Sequence, residues 1–355
     1  MHDCQPYIDL LCHLVATPSF SGKEDKTAGL IASFLAARNI PVQQVGNNVW
    51  AINRHFAAGK PTVLLNSHHD TVKPNAAYTR NPFEPVIEHN KLFGLGSNDA
   101  GGALVALLAA FIHFYDQPLH FNLVYSATAE EEISGKGGIE SLWPYLPPID
   151  MAIVGEPTLC QMAVAEKGLL VLDCTAHGTA GHAAHHRSDN AIYTAVKDIE
   201  WFSNYRFEKI SPWLGEVKMT VTAIHAGDAH NMVPPECLYT VDVRVTDAYT
   251  LEEVLHEIKR HVNSVVVPRS VRLRPSGIDP GHPLVRAATD LGIEQYGSPT
   301  TSDQALIPVP SVKIGPGDSQ RSHTADEYIE LDEFSEGINT YIRLLGRLNE
   351  LLKNP

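Results

Sequence analysis

Positive charge is scarce in this sequence: 27 Lys and Arg stand against 41 Asp and Glu, a formal net charge of -14. That balance argues against nucleic acid and against an anionic membrane as partners. It says little about a substrate, because bound metal would neutralise part of the acidity. Cysteine is sparse as well. Cys4, Cys12, Cys160, Cys174 and Cys237 form an odd set with no C-x-x-C spacing, which reads as reduced thiols and a cytoplasmic protein. Nowhere do eighteen apolar residues run together, and the opening residues do not join a basic stretch to a long apolar one. Neither a membrane span nor a signal peptide is therefore expected. Internal repeats and low-complexity segments are also lacking.

What is present is an ordinary globular composition, 44% hydrophobic and 19% charged, in 355 residues. That is more chain than one hydrophobic core usually serves, so two domains are expected. Tyr7–Val15 and Asp25–Arg38 have helical periodicity and are separated by Pro18 and Gly22. Val49–Asn53, Thr62–Asn66, Leu92–Gly96, Leu119–Ala127 and Met151–Val154 read as strands, several of them compact apolar runs typical of buried parallel strands. Between them Ala103–Phe114 is hydrophobic nearly all round, the mark of a buried central helix. Strand, loop and helix alternate as in an α/β layered domain.

After Lys167 the texture changes. Strands at Leu169–Ala176, Val217–Ile224, Leu238–Val245 and Val271–Arg274 interleave with helices at Asn190–Asn204 and Leu251–Asn263. The order strand–helix–strand–strand–helix–strand is that of a small ferredoxin-like α+β domain, inserted over residues 167–279. The first domain would then comprise 1–166 and 280–355, resuming with a helix at Leu284–Tyr296, a strand at Ser311–Ile314 and a terminal helix at Leu331–Leu352.

The chemistry-bearing residues gather where the strands of the first domain end. SHHD at Ser67–Asp70 puts His68 and Asp70 on one face of an extended chain, a spacing that suits an imidazole ligand oriented by a carboxylate. GLGSNDAGG brings Asp99, ATAEEEISGKGG the run Glu130–Glu131–Glu132, VGEP brings Glu156 and SHTADE brings His323. Each has a simpler reading: the Glu run as the acidic first turn of a helix, or Asp99 as a helix cap. One metal centre explains all five positions together, and the set holds enough donors for two divalent cations. In the inserted domain, His185 and His186 could be ligands or a solvated loop, and Arg244 could hold a carboxylate or simply pair with Asp242 or Asp247.

These ordered motifs resemble the two-zinc amidohydrolase family that includes acetylornithine deacetylase, succinyl-diaminopimelate desuccinylase, aminoacylase and glutamate carboxypeptidase. SHHDTV resembles its H-x-D strand end, NDAGG its bridging-aspartate turn, ATAEEEISG its paired glutamates, VGEPT its third metal turn and SHTADEYI its closing histidine. The resemblance spans nearly the whole chain. It implies a zinc-exopeptidase-like α/β catalytic domain interrupted by a ferredoxin-like lid that also forms a homodimer. It further implies two Zn2+ per subunit, with Co2+ as a substitute. His68 and Glu156 would bind one ion, Glu132 and His323 the other, and Asp99 both. Asp70 would orient His68 and Glu131 would be the general base, while Glu130 receives no role. His182, in GTAGHAAH, would reach the partner's site; Asn231 and Arg244 would contact substrate. Ser67, His69 and the pair Ala100–Gly101 depart from the usual pattern, and none of these departures removes a ligand.

The implied reaction is hydrolysis of the amide of a small N-acyl amino acid. Among such substrates N-acetyl-ornithine, on a route of arginine biosynthesis, is expected first and an N-succinyl amino acid second. An unactivated amide needs a stronger nucleophile than water and a stabilised oxyanion, and two zinc ions about 3.5–4 Å apart supply both. A dipeptidase and a non-catalytic binding protein are weaker alternatives, the latter opposed by the intact Glu131 and ligand set.

Overall fold

The computed structural model describes residues 4–185 and 189–353. The chain divides into two compact units: Met1–Val164 with Gly277–Tyr296 and Ser302–Pro355, and Ala165–Ser276 with Gly297–Thr301.

The larger unit is built around the helix Ala103–Phe114, in which every residue but Ile112 and His113 is buried. Ser97–Phe114 is long and apolar enough by composition to cross a membrane, yet 78% of that window lies buried inside the protein. The terminal helix Leu331–Lys353 adds Phe334, Ile338, Tyr341, Leu345 and Leu348 to the same core, at alternating steps of four and three residues that line one helical face. The sheet beneath runs in the order Gln43–Val45, Asn48–Ile52, Asn122–Thr128, Thr62–His68, Met151–Val154, Ser311–Lys313 and Met162–Glu166.

Four neighbouring strands, Asn122–Thr128, Thr62–His68, Met151–Val154 and Ser311–Lys313, are mutually parallel. Their residues are buried throughout, as expected of parallel strands covered on both faces. Thr62–His68 comes first in the chain and sits in the middle, with later strands added on either side. Its carboxyl end is therefore a topological switch point, the place where open α/β sheets leave a crevice.

In the smaller unit the strands Gly168–His177, Lys218–His225, Glu236–Val245 and Val265–Pro268 pair antiparallel, Lys218–His225 beside Glu236–Val245, then Gly168–His177, then Val265–Pro268. With the helices Ala191–Asn204 and Leu251–His261 this is the ferredoxin-like arrangement. Asp198 ties it internally, accepting from the backbone N–H groups of Asn263 and Ser264 at 3.0 and 2.8 Å.

Two expectations fail locally, and one fully buried strand was not expected at all. The last strand of the smaller unit is Val265–Pro268, not Val271–Arg274, because Val265–Val267 meets the free edge of Thr175–Asp173 directly after the preceding helix ends. The helix expected over Leu284–Tyr296 stops at Asp290. Gly292, at φ 71, closes it, the N–H of Ile293 bonds back to the Ala288 carbonyl, and Gln295–Ser298 is a strand. The unexpected strand is Met162–Glu166, although its buried MAVA run is much like the MAIV of Met151–Val154.

Candidate metal centre

The parallel strands deliver the candidate ligands to one edge. His68 is the last residue of Thr62–His68, Glu131 and Glu132 follow Asn122–Thr128, Glu156 follows Met151–Val154, and His323 lies on the excursion after Ser311–Lys313. Asp99 arrives separately on the irregular turn Ser97–Gly102, whose Asp99–Ala100 peptide bond is cis.

His68 is buried, and its Nδ1 lies 3.0 Å from the Asp70 carbonyl oxygen and 3.4 Å from Asp70 Oδ1. An N–H at Nδ1 leaves the Nε2 lone pair facing the carboxylates of Asp99, Glu131 and Glu156, the tautomer a metal ligand needs. Asp70 does more than orient this ring: its two oxygens accept the backbone N–H groups of Glu131 (3.0 Å) and Glu132 (3.1 Å), and Oδ2 also takes the Ser21 hydroxyl at 2.7 Å. One carboxylate thus fixes both the imidazole and the glutamate turn.

Asp99 divides its oxygens between two groups. Oδ1 is 3.3 Å from His68 Nε2, which is itself 3.8 Å from Glu156 Oε1. Oδ2 is 3.7 Å from His323 Nε2, which is 2.9 Å from Glu132 Oε2. The carboxylate points at the histidines rather than capping the helix behind it, which has no side-chain cap. Glu131 Oε2 stands 3.9 Å from His68 Nε2. Glu130 turns away: at φ 55 it redirects the chain, and its carboxylate accepts the Gly137 N–H at 2.8 Å. A Cβ at Gly135 or Gly137 would collide with that side chain, and one at Gly138 with the Ala129 carbonyl oxygen, which accounts for the three glycines of SGKGG.

Among the described residues, histidines form the ion pairs with Asp99, Glu131 and Glu132. Burial opposes charge on His68, but hydrogen bonds to Asp70 and Asp99 and the fields of Glu131 and Glu156 hold its pKa well above the usual value. His323 is raised to about 9, chiefly by its hydrogen bond to Glu132. Burial, then repulsion from Glu156, Asp303 and Glu132 against the pull of His68, pushes Glu131 well up. Carboxylates crowded so closely need added positive charge, which a bound cation would supply. Ligand atoms of His68, Asp99 and Glu132 lie within 4.8 Å of one another, so the residues fit a divalent cation, with nitrogen and oxygen donors suited to a borderline metal.

Sequence reasoning passed over several residues here. Asp303 is buried, accepting from Asn66 Nδ2 (2.8 Å) and Thr128 Oγ1 (2.7 Å), and so joins the two strands that end in His68 and Thr128. Glu24 is fully buried; it takes the Asn47 amide at 2.8 Å and also accepts the Gly22 N–H. His69, buried on the other side of its strand, contacts Thr27 Oγ1 at 2.9 Å and the Asn47 carbonyl at 3.0 Å. Burial first of all lowers its pKa to about 4. Glu327 ends the motif SHTADE, whose histidine drew the reading. Its carboxylate accepts the N–H groups of Asn98 and Asp99 at 2.9 Å each.

In the smaller unit, Gly181–His182 pairs with Met232–Val233, and the Ala183 N–H bonds to the Asn231 carbonyl at 2.9 Å, so His182 and Asn231 share one short ladder. The His182 and His185 rings are 5.5 Å apart, and His186 lies outside the described residues. Arg244 Nε and Nη2 engage Asp242 at 2.8 and 3.0 Å, and Nη1 is 3.4 Å from Thr301 Oγ1. The pairing with Asp242 that the sequence left open is formed, and Asp247 is not the partner.

Comparison with known proteins agrees with this geometry. Residues 64–347 match the model of peptidase family M20/M25/M40. The chain is 30% identical over 368 residues to an acetylornithine deacetylase of Salmonella typhimurium, covering 92% of this chain and 93% of that protein. A second acetylornithine deacetylase, from Klebsiella pneumoniae, is 29% identical over 363 residues, with the same 92% and 93% coverage. Among solved structures, a tripeptidase from Staphylococcus aureus superposes with a TM-score of 0.79 at 19% identity, covering 98% of each chain. A dinuclear metal binding peptidase of the M20 family from Bacillus subtilis gives 0.73 at 15% identity and 99% coverage of each. The chain belongs to peptidase family M20/M25/M40. It is accordingly a metal-dependent hydrolytic enzyme, with an α/β catalytic domain and an inserted ferredoxin-like domain.

Proposed function

We propose that the protein hydrolyses the amide bond of a small N-acyl amino acid, with N-acetyl-ornithine as the leading substrate. The observation that carries this reading is the division of Asp99 between two histidine–carboxylate groups, His68 with Glu156 and His323 with Glu132. Those five residues would hold two Zn2+. Bound there, the metals would acidify a water and polarise the amide carbonyl. Asp70 keeps the His68 Nε2 lone pair aimed inward, and Glu131 takes a proton from the attacking water at its carboxylate and returns it to the departing amine. His182 would donate a hydrogen bond to the developing oxyanion, from the lid of a homodimer partner, with Asn231 and Arg244 on the substrate. The relatives named acetylornithine deacetylase support the acyl amino acid class.

One observation favours the N-succinyl reading. Lys218 stands directly opposite Arg244 in the inserted sheet, and Lys167, its pKa lowered by burial and then by those two cations, lies near them. With Arg244 already engaged by Asp242, the two lysines would be the cations open to a second substrate carboxylate. The ratio of kcat/KM for N-acetyl-ornithine over N-succinyl-ornithine, on zinc-loaded protein, tests both: well above one supports the deacetylase, well below one the desuccinylase. Turnover of neither would remove ornithine derivatives from consideration.

A further inference from the structure

Two adjacent carboxylates just beyond His323 hold separate pieces of the site. Glu327 is buried, and one of its oxygens accepts the N–H groups of Asn98 and Asp99 at 2.9 Å each, while the other is 3.2 Å from the N–H of Gly96. The main chain of Glu327 adds a fourth tie, its carbonyl accepting the Gly94 N–H at 2.9 Å. Three N–H groups of the turn that presents Asp99 are thus held by one side chain, while Asn98 ties the same turn to the main chain of Asp318. Asp326 faces the other way. Its Oδ1 accepts the N–H groups of Thr79 (2.9 Å) and Arg80 (3.0 Å), and its Oδ2 takes the Thr79 hydroxyl. Thr79 and Arg80 lie on the long loop between Asp70 and the strand Val86–Glu88.

We propose that Asp326 and Glu327 are a pair of positioning residues. Glu327 sets the main chain that aims Asp99 between its two histidines, and Asp326 sets the loop 71–85 that follows the His68 strand. Both are carboxylates because each must accept several backbone N–H groups at once, and a carboxyl group offers two oxygens with lone pairs to do so. Neither touches the reacting atoms. They are consecutive, yet Asp326 bonds to Thr79 and Arg80 and Glu327 to the 94–99 turn, so the two elements are held separately. This inference rests on the reading of Asp99 as a metal ligand.

The test is zinc affinity by competition with a chromophoric chelator, measured together with kcat, KM and the thermal midpoint of metal-free protein, for wild type, Glu327→Ala, Glu327→Gln and Asp326→Ala. Partners one step behind a ligand typically change metal affinity about 10–100-fold when removed. Glu327→Ala should weaken zinc binding about tenfold or more and lower kcat at nearly constant KM. Glu327→Gln, which keeps one acceptor oxygen and turns a donor toward Gly96, should fall between it and wild type. Asp326→Ala should leave zinc affinity and kcat near wild type and raise KM several-fold. A folded Glu327 variant that binds zinc as wild type does, even with a lowered midpoint, would reduce the residue to general stability and overturn the inference. Should Glu327→Ala not fold, the Gln variant decides on the same criterion. Failure of wild type itself to take up zinc would instead overturn the metal reading, and this inference with it.

Discussion

The oxygens of Asp99 diverge toward His68 and His323, the arrangement the proposed two-cation site needs, while Glu131 lies 3.9 Å from His68 Nε2 and is the proposed carrier of the proton. Glu131→Gln keeps the backbone N–H that bonds to Asp70 and removes only the basic oxygen. Folding and metal content should stay close to wild type while kcat falls by roughly 10²–10⁴-fold, read by steady-state kinetics beside metal analysis. Asp70→Asn should act differently. It swaps one acceptor for a donor facing His68 or the glutamate turn, so metal affinity should drop about 10–100-fold, measured by chelator competition. Cys160 offers a check on the thiols: burial raises its pKa to about 11, so at pH 8 it should alkylate roughly two orders of magnitude more slowly than a free cysteine and speed up as pH rises toward 11, followed by mass spectrometry. Residues that came in recognisable strings were legible, whereas Asp303 and Glu24 were not. Neither stands in a motif, Glu24 preceding a helix and Asp303 opening a short 3-10 turn, and the meaning of each lies in partners 23 and 237 residues away in sequence.

Elements whose pattern matches their burial were the easiest to read. The helix Ala103–Phe114, apolar all round, and the strand Met151–Val154, a short apolar run, have the limits expected of them. Both are decided locally, by residues that cannot face water. The strand at Val265–Pro268 was misplaced because two valine-bearing stretches compete for one sheet edge, and pairing across the sheet chooses between them. The central helix also carries the site mechanically. Leu107 is fully buried, and a Cβ on Gly155, just before Glu156, would strike its side chain. Leu107→Ala should therefore cost about 2–5 kcal/mol in urea unfolding, the usual range for a buried leucine that leaves a cavity.

At the scale of the whole molecule, the carboxylates gathered at one sheet edge repel one another until cations arrive, so bound metal should stabilise the folded chain by mass action. Removing it with a chelator should lower the thermal midpoint, and restoring zinc should recover it. The proposed reach of His182 into a partner's site makes a separate demand: mixing His182→Ala with Glu131→Gln subunits should restore part of the activity that each lacks alone, and no recovery would mean that each site is completed within one chain. The zinc-dependent turnover of N-acetyl-ornithine goes most directly to the centre of this reading, measured as metal-free protein is titrated with Zn2+. Hydrolysis should be undetectable at the start and rise to a plateau near two ions per chain. Full activity without metal, or no cleavage of any N-acyl amino acid at that plateau, would contradict it.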